Sequence, residues 1–158
     1  MENKSLIVYY SCTGNTKRIA ELIKEKTRAD IFEIELKKDY SVVSAYTIGL
    51  VHASTGHMPQ MKNSIDIKDY DTIILGTPVW MFTIAPALRT FINNNSFEGK
   101  KVIPFCTDEG GKGNCFEKIK ELCEGAEISD SKEFVFVKNK KDEELKNQID
   151  EWLNNLEK

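Results

Sequence analysis

The sequence predicts an α/β fold, a doubly wound five-stranded parallel sheet in the order 2-1-3-4-5 with helices on both faces. Three observations carry that prediction. Apolar runs and amphipathic stretches alternate along the whole chain as βαβαβαβαβα. The first run, Leu6–Tyr10, is apolar at consecutive positions, as a strand buried on both faces must be. Chemically unusual segments follow the first, third and fourth runs, polar, aromatic and glycine-rich in turn, and they fall at the carboxyl edge of the sheet, where such folds take ligands.

The first strand ends at Ser11, and a helix begins almost at once. It carries Ile19, Ala20, Leu22 and Ile23 inward and ends near Arg28. Asp30–Leu36 alternates apolar and acidic residues, which reads as an edge strand. Ser41 is an N-cap candidate for a short helix through Val42, Val43 and Tyr46. From about Gly49 to Lys68 the periodicity is poor, and a connection of that length either serves a ligand or is a plain surface crossover. His52 and His57 fall here without an evident partner and read as polar loop residues.

Asp71–Gly76 is the third strand. The helix after it opens at Ala85-Pro86, with proline in its first turn where the missing N–H costs nothing, and presents Leu88, Phe91 and Ile92 to the core. Lys101–Cys106 is the fourth strand. Pro104 must lie near its end or at a bulge, because a central strand needs every donor. Phe116, Ile119, Leu122 and Cys123 form the next helix face. Glu133–Val137 is the fifth strand, and Asp142 caps a last helix with the stripe Leu145, Ile149, Trp152, Leu153 and Leu156.

At 158 residues, with 41% hydrophobic and 30% charged residues, the chain has the composition of one ordinary domain, residues 1–158, without linker or repeat. A net charge of −3 points to neither nucleic acid nor an anionic membrane as partner. Met1–Lys4 leads straight into a strand, so no signal peptide is expected and the location is read as cytoplasmic. The four cysteines show neither CxxC nor histidine at ligand spacing, and are expected as reduced thiols with no metal.

The loop Ser11-Cys12-Thr13-Gly14-Asn15-Thr16 combines hydroxyls, an amide and a glycine at a helix N-terminus. It suits a phosphate dianion, although helix capping uses the same residues. Lys17 and Arg18 oppose the helix dipole unless an anion is near; otherwise they form a solvated face. Trp80, Met81 and Phe82 follow a strand end, as a core plug or a stacking wall. Thr107–Asn114 places Asp108 and Glu109 beside Gly110 and Gly111, either against a ligand ring or as a solvent-facing turn.

Taken together, Ser11-x-Thr13-Gly14-Asn15-Thr16, Tyr70–Trp80, Ala85–Phe91 and Pro104–Thr107 with the glycines after it resemble the flavodoxin-like FMN-binding family over nearly the whole chain. The resemblance implies one non-covalent FMN. Its phosphate would sit on Ser11, Thr13, Gly14, Asn15 and Thr16. Its ring would lie between Thr77, Pro78, Val79, Trp80 and Met81 on one side and Thr107, Asp108, Glu109, Gly110 and Gly111 on the other, with Trp80 stacking. Carboxylates beside the ring would lower its reduction potential, and no side chain need act as acid, base or nucleophile. The implied role is a low-potential one-electron carrier, monomeric and in transient contact with redox partner proteins. The alternative is a small NAD(P)H-dependent quinone or flavin reductase.

A rival comes from the spacing of Cys12 and Arg18. C-x5-R after a first strand resembles the low-molecular-weight tyrosine phosphatases, in which a thiolate lies under a phosphate loop clamped by arginine. Against it, the chain has no Asp-Pro to supply that family's general acid.

Overall fold

The computed structural model describes residues 3–157, so the part of the leader reading that rests on Met1 and Glu2 lies outside it. Strands β1 (Ser5–Tyr9), β2 (Asp30–Glu33), β3 (Thr72–Trp80) and β5 (Lys101–Asp108) form the parallel centre of the sheet. Strand β4 (Thr83–Ile84) folds back antiparallel on the end of β3. The short strands β6 (Glu127–Ile128) and β7 (Lys132–Val135) share the edge beside β5. By place, the order is therefore 2-1-3-4-5 as predicted, with β2 at one edge and the fifth place divided between two strands.

Alternate residues of each central strand face opposite layers. Leu6, Val8, Ile73 and Leu75 pack under helices α4 (Pro86–Asn93) and α5 (Cys115–Leu122). Ile7, Tyr9, Ile74 and Phe105 pack under α1 (Asn15–Thr27) and α6 (Asp142–Leu156). The predicted inward residues of α1 are all buried, and Leu145, Ile149, Trp152 and Leu153 of α6 are buried too. Gly76 lets the Phe105 ring lie across β3, since a Cβ there would fall on the ring.

Three local expectations are corrected. Pro104 is neither at a strand end nor at a bulge; it pairs with Leu75 in mid-strand. The carbonyls of Val102 and Asp108 accept from Ser129 and Phe136, so the even positions of β5 face the β6/β7 edge. Pro104 stands opposite the gap between those two strands, where no carbonyl awaits its missing N–H. Strand β3 runs on past Gly76 to Trp80, because Thr77 and Pro78 pair with Cys106 and Thr107. Asp142 does not cap α6; Lys141 holds the cap position and Asp142 is the first helical residue.

Ser41 caps helix α2 (Val42–Ser44) through a capping box: its hydroxyl accepts from the Ser44 N–H at 3.1 Å, and the Ser44 hydroxyl accepts from the Ser41 N–H at 2.7 Å. The segment 49–68, in which no helix is legible, contains one. A π-turn over Ala45–Gly49 leads into α3 (Leu50–Thr55). Val42 and Val43 of α2 and Tyr46 of the π-turn are exposed. Among the described residues no helix is long and apolar enough to cross a membrane.

Candidate functional site

Gly14 begins the site. Its φ of 96° is the left-handed conformation that glycine adopts without penalty, and it turns the chain from β1 into α1. The Ser11 hydroxyl accepts from the Gly14 N–H at 3.1 Å and the Lys17 N–H at 3.2 Å, which fixes the turn from inside. The N–H groups of Thr13, Asn15 and Thr16 have no acceptor among the described residues. Nothing stands within 4 Å of where a Gly14 Cβ would be. Unpaired donors at a helix N-terminus beneath open space fit an anion.

A cavity of about 200 Å³ opens beside this turn, at the carboxyl ends of β1, β3 and β5. It draws Thr13 and Asn15 from the first loop, Pro78, Val79 and Trp80 from the second, and Thr107, Asp108 and Glu109 from the third. Ser11, Gly14, Thr16, Thr77, Met81, Gly110 and Gly111 do not line it; most of them hold the walls. The Thr16 and Thr107 hydroxyls, both buried, bond each other at 2.8 Å and tie the first loop to the third. The Thr77 hydroxyl accepts from the Ala85 N–H at 3.0 Å and fixes the start of α4.

Trp80 is 8% exposed, boxed edge-on by Tyr10 at 5.9 Å and Tyr40 at 5.0 Å between ring centroids. Gly49 of the π-turn lies against its ring, so Trp80 is both plug and cavity wall. The remaining wall is Cys12, Ala45, Tyr46 and Leu50. The π-turn residues escape a reading of the sequence because their periodicity is broken, although π-turns are frequent at functional sites.

In the third loop, Asp108 Oδ1 accepts from the Gly110 N–H at 2.7 Å and the Gly111 N–H at 3.3 Å, closing an Asx turn. Glu109 pairs with Lys138 at 2.9 Å in solvent, which raises the Lys138 pKa. Gly111 packs on the Phe82 ring, and a Cβ on Gly113 would strike the Phe82 carbonyl. These glycines therefore admit the β3–β4 hairpin, and the Asn114 N–H donates to Phe82 O at 2.9 Å to latch it.

The phosphatase arrangement is not assembled. Arg18 turns away from Cys12: its guanidinium donates to Asp142 Oδ1 at 2.6 and 2.9 Å, to Val137 O at 2.7 Å and to Lys140 O at 2.7 Å. Burial and then Asp39 push the Cys12 thiol above its ordinary pKa, the reverse of what a thiolate nucleophile requires. Lys17 lies 4.0 Å from Glu33 on a solvated face, and Arg18 is engaged within the fold. Of the two histidines, His57 lies in a loop as expected, but His52 does not. His52 sits on α3 with Nδ1 2.7 Å from the Tyr40 hydroxyl and its ring 3.9 Å from that of His57.

A parallel sheet with a donor-rich βα turn, an aromatic wall and an acidic glycine loop around one edge cavity defines a mononucleotide-binding α/β protein. A family model described as Flavodoxin matches residues 4–156, and the chain belongs to that family. A Bacteroides eggerthii protein, provisionally classed as a flavoprotein, superposes with a TM-score of 0.83 at 25% identity over 99% of both chains. A Lactobacillus acidophilus flavoprotein in complex with FMN superposes with a TM-score of 0.70 at 25% identity, over 84% of this chain and 93% of that one. An NAD(P)H dehydrogenase (quinone) of Cupriavidus metallidurans is 26% identical over 91 residues, which cover 58% of this chain. The match spans 46% of that relative's length.

Proposed function

We propose that the protein is a single-domain, FMN-binding electron carrier that passes single electrons between redox proteins of the cytoplasm. The observation that carries the reading is the meeting of free N–H donors, the Trp80 wall and the Asp108 loop at one cavity. FMN, when bound, supplies the redox chemistry. The N–H groups of Thr13, Asn15 and Thr16 take its phosphate over Gly14. Pro78, Val79 and Trp80 supply one side of the ring site, and Thr107, Asp108 and Glu109 the other.

The cavity is smaller than the ~300–1,000 Å³ of pockets that enclose a drug-sized ligand. A mononucleotide held here leaves an edge outside the walls, as exchange of electrons with another protein requires. Tyr46 and Phe82, both more than 60% exposed, flank the site with apolar surface.

The second reading is a flavin-dependent NAD(P)H reductase, favoured by the name of the Cupriavidus relative. Stopped-flow mixing of the FMN-loaded protein with NADPH separates the two. A carrier keeps its flavin absorbance over seconds, whereas rapid bleaching at a rate that saturates with NADPH would make the protein a reductase.

A further inference from the structure

Behind the helical segment at residues 42–55 lies a second cavity, about 710 Å³, well within the ~300–1,000 Å³ range of ligand sites. The two cavities use opposite sides of that segment: Ala45, Tyr46 and Leu50 face the first, and Ser44, Ile48 and His52 face the second. The second cavity has three kinds of wall. Lys37 and Lys38 bring two ammonium groups, and neither is ion-paired among the described residues. His52 and His57 bring two imidazoles in contact, with centroids 3.9 Å apart and planes tilted by 32°. Ile48, Met58 and Pro59 bring apolar surface.

The carboxylate in this wall, Asp39, has one oxygen engaged within the fold. Its Oδ1 accepts from the Tyr10 hydroxyl at 2.7 Å and the Tyr40 N–H at 2.8 Å. That oxygen is turned toward the sheet, while Asp39 itself stays exposed in the wall, so the cavity carries two cations against one carboxylate. An excess of cations beside flat rings, in a chain of net charge −3, matches an anion that carries a ring.

We propose that this second cavity binds a free nucleoside phosphate, with the phosphate on Lys37 and Lys38 and the base against the imidazoles and Met58. The site is distinct from the flavin cavity and does not depend on it. Tyr40 connects the two, because its hydroxyl meets His52 and its ring meets Trp80.

The chain has two histidines and both line this cavity, so their imidazole NMR signals report on it directly, and unchanged flavin absorbance during the titration shows that the first cavity is not disturbed. The test is a titration of the full, FMN-loaded chain with AMP, with adenosine and inorganic phosphate as separate arms. The expected result is a saturable shift of both histidine signals with AMP, and much weaker responses to adenosine or phosphate. Lys37→Gln with Lys38→Gln should weaken AMP by roughly tenfold or more, from the loss of charge-assisted hydrogen bonds. Both lysines are exposed, so the fold should survive, and FMN affinity measured by fluorescence quenching should not change. Unmoved histidine signals, an equal response to phosphate alone or adenosine alone, or an unweakened double variant would overturn the proposal.

Discussion

Thr16 shows how a side chain can be read correctly by type and wrongly by task. Its place in the donor-rich turn suggests a hydroxyl on phosphate, yet that hydroxyl is buried against Thr107, and its backbone N–H is what is left without an acceptor among the described residues. Nothing local in the sequence reveals a partner 91 positions away. Asp108 is a second case. Its carboxylate is legible as charge near the ring site, but not as the acceptor that shapes Gly110 and Gly111. Asparagine keeps an acceptor oxygen there while removing the charge, so Asp108→Asn with Glu109→Gln should raise the reduction potential of bound FMN. Glu109 is exposed and paired with Lys138, so Asp108 should contribute the larger share. The size expected for partly solvated charges is on the order of tens of millivolts. A potentiometric titration showing no change, or a fall, would remove both residues from the account.

The β3–β4 hairpin is the element least visible in the sequence. Thr77-Pro78 looks like a strand end, and only pairing with β5 carries β3 onward to Trp80. Met81 and Phe82 then form a two-residue connection with φ of 51° and 61°, the positive values that favour Asn-Gly and disfavour bulky side chains. The third loop holds this strained tip through Gly111, Gly113 and Asn114. Replacing Met81 with Asn and Phe82 with Gly should stabilise the fold by about 1 kcal/mol or more, because a mostly exposed Phe82 packs too little to offset the backbone strain. Urea unfolding would show a raised midpoint. A lowered midpoint would mean that Phe82 packing on Gly111 outweighs that strain. The helical elements are far more legible, because α1, α4 and α6 carry regular apolar stripes, while the π-turn before α3 disrupts the spacing that reveals a helix.

At the scale of the molecule, consecutive apolar residues in β1 foretell helices on both faces, and the sheet order follows. The divided fifth strand does not, since Glu127–Ile128 is too short to register as a pattern. The whole fold also carries a titration signature. Asp30 accepts from the Tyr70 hydroxyl at 2.6 Å and pushes that phenol from 10.0 up to about 12. Tyr9 and Tyr10 are raised as well, first by burial and then by hydrogen bonds to Glu33 and Asp39. In each case the unfolded chain loses the proton first. The stability these phenols provide is therefore complete below pH 10; the share from Tyr70 drains away as pH climbs from 10 through about 12, and the shares from Tyr9 and Tyr10 begin to fall in the same interval but persist to higher pH. Urea midpoints measured across that interval should fall steadily alongside delayed tyrosinate absorbance; midpoints that stay level would contradict the assignment.

The central claim is that the N–H groups at Thr13, Asn15 and Thr16 grip the phosphate of FMN, and a paired fluorescence titration of the flavin-free protein tests it most directly. FMN should be quenched with a break at one equivalent, while riboflavin, which lacks the phosphate, should bind roughly a hundredfold more weakly or worse. Equal affinity for the two flavins, or no quenching by FMN, would contradict it.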